Sequence, residues 1–155
     1  MAYKVPFFAV QSALYKVLSG ADATLSWFDA GASIEEIEGF YKDRQSFAYG
    51  IMGAADADAL PNKDTIVWNA RLDLEVYSNY QGKKDVSKRL ESIVNYLCSE
   101  VAWKEVNDAL EKEGFTLISL SIGSLRINFP IIGDSGTWQS GATSLIFKIG
   151  QKESD

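Results

Sequence analysis

The chain from Thr65 to Cys98 reads TIVWNARLDLEVYSNYQGKKDVSKRLESIVNYLC, and the spacing of its apolar residues changes partway along. In the first part every second residue is apolar: Trp68, Ala70, Leu72, Leu74 and Val76. This two-residue period predicts a strand with one buried and one solvated face. After a polar turn at 79–82, apolar residues recur at spacings of three and four: Val86, Leu90, Ile93, Val94 and Leu97. That period predicts an amphipathic helix from Lys83 to about Ser99, and the strand-to-helix succession indicates a small α+β domain.

Helical elements are predicted before this segment. A first helix should cover Pro6–Leu18, because proline is favoured in the first turn of a helix. The segment Asp22–Phe28 is interpreted either as a short helical turn or as an irregular loop. Ser33 should open the next helix, Ile34–Tyr41, because Glu36 follows three residues later as in a capping box.

Strands and one further helix complete the prediction. In chain order the remaining elements are a strand at Phe47–Gly53, an acidic loop at Ala54–Asp64, a helix at Val101–Glu113, a strand at Phe115–Phe129 and a strand at Thr137–Ile149. The apolar parity of the third strand changes near Gly123, which predicts a β-bulge. The predicted fold is therefore α+β, an antiparallel four-stranded sheet with helices packed mainly on one face, in the order α-β-β-α-(α)-β-β. Residues 1–150 should form a single domain, and 151–155 a short polar tail.

Composition excludes several classes of protein. The chain has 155 residues, 46% of them hydrophobic and 23% charged, which is typical of a globular domain. Its apolar runs are all much shorter than the roughly 20 residues that span a bilayer, so we expect no membrane association. Cys98 is the single cysteine, so an internal disulfide is impossible. The net charge of −6 opposes nonspecific binding to phosphate backbones.

The sequence predicts no catalytic site. Gly133-Asp134-Ser135-Gly136 matches most of the GDSGG surroundings of the nucleophile in trypsin-like proteases. The chain contains no histidine, however, and that chemistry needs an imidazole to accept the serine proton. A glycine-rich hairpin turn explains the same four residues. A Ser–Lys dyad stays formally open, although no spacing indicates one.

No cofactor or dedicated metal site is predicted either. Asp56, Asp58, Asn62 and Asp64 offer oxygen ligands within a short window. Their spacing does not fit an EF-hand loop, because Val67 occupies the twelfth position, where a bidentate glutamate belongs. We interpret the window as a solvated acidic loop. Adventitious binding of magnesium or calcium there stays an open alternative. The glycines lack the endings of a phosphate-binding or dinucleotide-binding loop.

Several segments of the chain resemble one known family. They are Val10–Leu18 followed by Asp22–Leu25, Phe47–Gly53, Leu72–Ser78 leading through Gly82-Lys83-Lys84 into a helix, and Trp138–Ile149. In these segments and in the order of its elements, the chain resembles the tail-terminator or tail-completion proteins of long-tailed bacteriophages and related gene-transfer particles. The helix at 101–113 and the long acidic loop depart from a minimal member of that family.

The resemblance implies a structural virion protein and not an enzyme. Such a protein assembles as a ring, commonly a hexamer, that caps the finished tail tube, ends tube polymerisation and binds the head connector. The implied partners are copies of this chain, the tail-tube protein and the head–tail connector, while DNA passes through the lumen without specific binding. The implied location is the head-proximal end of the virion tail, after assembly in the host cytoplasm.

Nine residues are candidates for interface contacts. They come from the acidic loop, the solvated face of the long strand, the predicted 130–137 turn and the aromatic residues: Asp56, Asp58, Asp64, Arg71, Asp73, Glu75, Tyr77, Asp134 and Trp138. Two alternative functions stay open. One is another virion component, such as a head-completion or tail-tube protein, and the other is a small enzyme that works without histidine.

Overall fold

The computed structural model describes residues 2–22, 24–29, 31–41, 46–61, 65–80, 84–133 and 136–152. Those residues contain four helices: α1 Phe7–Ala21, α2 Ile34–Phe40, α3 Lys84–Leu97 and α4 Glu100–Lys112. They also contain six strands: β1 Ser26–Asp29, β2 Ala48–Pro61, β3 Ile66–Ser78, β4 Phe115–Ile127, β5 Ile131–Gly133 and β6 Gly136–Gln151. The α+β class is therefore confirmed.

The sheet is larger than the sequence predicts, and it is mixed. Its strand order is β1-β2-β3-β6-β4, and the short β5 pairs with one end of β6. β1 runs parallel to β2, whereas the other pairs are antiparallel. The prediction of a four-stranded, purely antiparallel sheet is therefore wrong, because it omits the two shortest strands.

The first omitted strand, β1, occupies the segment interpreted as a helical turn or a loop. Trp27 lies opposite Gly50 of β2, and a Cβ atom on residue 50 would overlap Trp27 Cε3. The absence of a side chain at Gly50 therefore lets the indole ring lie against the neighbouring strand.

The acidic segment is strand and not loop, which corrects a second prediction. β2 continues to Pro61 after a register shift between Met52 and Ala55. The long β3 has backbone groups along its whole length that need partners, and the acidic segment supplies them. Asn62–Asp64 lie outside the described residues, so the loop prediction at Asp64 is not addressed by the structure.

Three helices cover one side of the sheet, which we call the helix face. α1, α3 and α4 contribute to one hydrophobic cluster with the alternate residues of β3 that begin at Ile66. Leu14, Leu74, Ile93 and Phe147 are fully buried there. The predicted burial of the long strand and of the helix after it is confirmed.

The helices begin and end at residues that favour helix termini. Ser33 Oγ accepts a hydrogen bond from Glu36 N (3.1 Å), as predicted for the start of α2. Ser99 Oγ accepts one from Ala102 N (3.2 Å) at the start of α4. Gly114 has a φ of +87°, a conformation that favours glycine, and it follows Glu113, the C-cap residue of α4.

A partly buried ion-pair network joins α3 to the turn after α1. Arg89 Nη1 lies 2.8 Å from Asp22 Oδ2, and Arg89 Nε lies 2.9 Å from Asp85 Oδ2. Ser78 Oγ, at the end of β3, donates to the same Asp85 oxygen (2.6 Å). Burial lowers the pKa of Arg89, but the two carboxylates outweigh it and leave the pKa raised, so this side chain stays cationic.

Strand β4 pairs irregularly with β6, and the end of β6 contacts the N-terminal residues of the chain. The bulge predicted near Gly123 is confirmed by a register shift between Ile122 and Leu125, and a second shift lies between Leu117 and Ser119. Gln151 is the last residue of β6, although the sequence places it in the polar tail. Its side chain accepts hydrogen bonds from Lys4 N (2.9 Å) and Trp68 Nε1 (3.2 Å).

Candidate assembly surfaces

Six of the predicted interface residues lie together on the sheet surface opposite the helix face, which we call the outer face. Asp56 of β2 lies opposite Arg71 of β3, and Asp58 lies opposite Asn69. The outer face also carries the next alternate residues of β3: Asp73, Glu75 and Tyr77. The structure thus joins two groups that the sequence analysis assigns to a loop and to a strand.

The centre of the outer face is a small charged hollow. Arg71 Nη2 donates to Ser144 Oγ (2.9 Å), and Ser144 Oγ donates to Asp73 Oδ1 (2.9 Å). Arg126 and Glu75 line the same hollow, which has a volume of about 90 Å³. The backbone of Arg126 pairs with β6, but its guanidinium group makes no hydrogen bond or ion pair with any residue in the described ranges. The hollow therefore offers a cation that a neighbouring protein could pair.

One end of the outer face is covered by aromatic side chains and by α2. The Trp138 ring lies 5.2 Å from the Phe47 ring and 5.7 Å from the Tyr49 ring, measured between centroids. Ile37 and Tyr41 pack into the same cluster from the α2 side. Trp138 is only 9% exposed, so the structure places this predicted interface residue inside a second core.

A cleft opens beside this cluster, between α2 and the strands, and we call it the tyrosine cleft. Its volume is about 470 Å³, and its lining includes Ala32, Ile37, Tyr49, Ile51, Glu75 and Tyr77. The two tyrosine rings stack with centroids 5.1 Å apart, and Tyr77 OH donates to Glu75 Oε2 (2.8 Å).

Acidic groups affect both tyrosines of this cleft. Burial, followed by the hydrogen bond to Glu75 and its charge, raises the pKa of Tyr77. Burial also raises the pKa of Tyr49, with further contributions from the charges of Glu38 and Glu75. The cleft is therefore a region of negative potential with aromatic walls.

An apolar groove lies on the helix face, between α3 and the end of β4. Its volume is about 340 Å³, and Leu90, Val94, Leu125 and Ile127 contribute to its lining. Just beyond it, Phe129 and Ile132 are 89% and 82% exposed. Exposed apolar side chains in such a concentration are typical of surfaces that bind other proteins.

The sequence analysis missed this apolar groove. In the strand predicted at Phe115–Phe129, the residues Leu125, Ile127 and Phe129 share one face, which an ordinary core would bury. The available signal is the run Leu125–Ile132, reading LRINFPII, where apolar residues occur at both parities.

Both sides of the sheet end in strand backbone without a described neighbour. β4 pairs only with β6, and β2 beyond residue 52 pairs only with β3, within the residues that the structure describes. Asp56 and Asp58 lie on this open part of β2. Charged residues on an edge strand hinder indiscriminate pairing and favour a partner of matching charge. Asp134, like Asp64, lies outside the described residues.

In the described ranges no three acidic or cysteine side chains are grouped so that they could hold a metal ion. Among the same residues, no helix has the length and apolar character needed to cross a membrane.

Comparison with known proteins gives likenesses among solved structures but none among family models or curated proteins. Among solved structures, a chain of the virion of the native gene transfer agent particle is similar. The two chains share 13% identity with a TM-score of 0.49, over 97% of this chain and 100% of the other.

Proposed function

We propose that this protein is a structural, non-catalytic virion component that forms a ring on a phage-like tail tube. The ring, a hexamer in the family that the sequence resembles, ends tube polymerisation and joins the tail to the head connector. It belongs at the head-proximal end of the tail and assembles in the host cytoplasm. The resemblance in Leu72–Ser78 and the neighbouring segments supports this role, together with the surfaces described above.

The observation that carries the proposal is the difference between the two edges of the sheet. The β4 edge adjoins the apolar groove and the exposed Phe129 and Ile132, whereas the open β2 edge presents Asp56 and Asp58. A ring formed by rotation needs two unlike patches on each subunit, so that one patch binds the other patch of the next copy. Two unlike patches on opposite edges of one sheet meet that requirement.

Charge supports the passage of DNA without specific binding. The chain carries a net charge of −6, and this sign opposes adsorption of a phosphate backbone. A lumen built from such subunits would let DNA slide. The tail-tube protein and the connector would bind on the two flat sides of the ring.

The first test is the oligomeric state of the purified chain with and without tail tubes, measured by sedimentation velocity and co-sedimentation. We expect closed rings, either free or on contact with tubes. A chain that stays monomeric and never sediments with tubes would overturn the proposal. Locating a labelled chain in particles by electron microscopy distinguishes a tail terminator from a head-completion or tube protein.

The second test reverses charge on the β2 edge. In the double variant Asp56→Lys with Asp58→Lys, we expect ring formation or tube binding to fall strongly while thermal unfolding stays close to that of the wild type. The matched control is Asp108→Lys with Glu111→Lys, which makes the same charge change on exposed positions of α4. Normal particles from the β2 variant would remove this edge from the interface.

A further inference from the structure

The tyrosine cleft combines three features that suit an organic cation. Tyr77, whose ring stacks on the buried Tyr49 ring, supplies aromatic surface, and the half-buried Ala32 and Ile51 supply apolar surface. The third feature is the Glu75 carboxylate. Aromatic faces attract cations through the negative potential of the ring, and a carboxylate accepts charge-assisted hydrogen bonds.

Among the described residues, only one of the two carboxylate oxygens of Glu75 accepts a hydrogen bond. Its Oε2 atom accepts the hydrogen bond from Tyr77 OH, and within the described residues its Oε1 atom accepts none. The hydroxyl group fixes the orientation of the carboxylate, so the second oxygen is held ready for a donor. Burial is the main cause of the raised pKa of Tyr49, and the negative charge of Glu38 adds to it.

We propose that the tyrosine cleft binds an arginine side chain presented by a partner protein. The planar guanidinium group can lie against a tyrosine ring while its N–H groups donate to Glu75. The apolar lining then contacts the methylene stem of the arginine. Charge complementarity selects this occupant over a neutral or acidic segment. The proposal concerns a surface apart from the β2 edge and does not depend on ring formation.

The experiment titrates the full chain with N-acetyl-arginine amide and monitors Tyr49 and Tyr77 by NMR. The comparison compound is N-acetyl-citrulline amide, which has nearly the same shape but no charge. We expect saturable shifts in the millimolar range with the arginine compound and at least about tenfold weaker binding of the citrulline compound. Equal binding of the two compounds, or no binding of either, would overturn the proposal.

Variants locate the site and exclude a nonspecific charge effect. Glu75→Gln should weaken arginine binding by at least about tenfold, because it removes the charged acceptor and keeps the shape. The matched control, Asp56→Asn, removes a carboxylate from the same outer face but outside the cleft, and should leave binding unchanged. Equal losses in both variants would indicate general electrostatic attraction and contradict the assignment. Thermal unfolding of each variant verifies that the chain is folded.

A final variant tests an occupant from within the chain. Lys42 and Arg44 follow α2 in the sequence and lie outside the described residues. We expect the double variant Lys42→Gln with Arg44→Gln to bind N-acetyl-arginine amide as the wild type does. Clearly tighter binding would mean that the chain's own cation competes for the cleft, and it would overturn the assignment to a partner protein.

Discussion

The two faces of the sheet use the same strand in different ways. On the helix face, the alternate residues of β3 from Ile66 to Ser78 are all buried beneath α1, α3 and α4. On the outer face, the intervening residues from Val67 to Tyr77 are partly or fully exposed, and most of them are polar or charged. The helix face therefore contains the main core, and the exposed part of the outer face presents polar groups that can bind other molecules.

The outer face itself has two dissimilar ends. At the β2 hairpin end, Asp56 and Asp58 lie on open strand backbone. At the other end, Trp138, Tyr49 and the α2 residue Ile37 form a second core. An interface residue cannot be assigned from its face alone, since among the described residues the same face is exposed at one end and covered at the other.

The largest expected loss of stability comes from a substitution on the helix face. Leu72→Ala should lower the free energy of unfolding by about 4 kcal/mol, because it removes fully buried methyl groups and leaves a cavity. Asn69→Ala, three positions away on the outer face, should change it by less than about 0.5 kcal/mol. Urea unfolding of both variants measures the difference. Similar losses of unfolding free energy in the two variants would contradict the conclusion that the helix face contains the main core.

The next effect tests whether the aromatic end of the outer face is core or contact surface. Trp138→Ala should cost about 3 kcal/mol of unfolding free energy, at the lower end of the range for a buried tryptophan, since a small part of the ring is exposed. Chemical denaturation of the isolated chain is the measurement. A variant with wild-type stability that assembles poorly would instead return Trp138 to the interface.

The elements that can be predicted are those in which the spacing of apolar residues is visible within one continuous segment. β3 and α3 show their apolar periods within a single continuous segment, so both faces follow from the sequence. β1 and β5 have only four and three residues, too few to show a period, and each is a strand only because it pairs with β2 or β6. Their existence depends on contacts that lie far away in the sequence.

The acidic extension of β2 shows a different limit. Ala and Asp are both unfavourable in strands, so composition indicates a loop. Yet Ala57 and Ala59 pack against the main core while Asp56 and Asp58 point outward, which is the two-residue period of a half-buried strand. The small apolar area of alanine makes that period easy to miss. Asp56 and Asp58 therefore lie on the same face as the predicted residues of β3, although the loop prediction was wrong.

The smallest effect tests the electrostatics of the tyrosine cleft through pH. The raised pKa of Tyr77 means that the folded chain holds the phenol proton more tightly than the unfolded chain does. Above the ordinary tyrosine pKa of 10.0, the unfolded chain releases this proton first, so wild-type stability should fall with rising pH. Below that pH the same interaction contributes fully.

Tyr77→Phe lacks the titrating group, and its stability should depend less on pH in this alkaline range. At about pH 8 the variant should be about 1 kcal/mol less stable, because Glu75 loses a hydrogen-bond donor. By about pH 11 the gap should narrow, since the wild type has begun to lose the contribution that the variant never had. Urea midpoints across this range measure the difference in stability between the variant and the wild type. Tyr15→Phe should show the same dependence on pH. Tyr15 donates to Asp29 (2.7 Å), and its pKa is raised to about 12 by burial and by that carboxylate. If the gap for Tyr77→Phe stays constant across the range, Glu75 does not favour the neutral phenol, and the negative potential assigned to the cleft is contradicted.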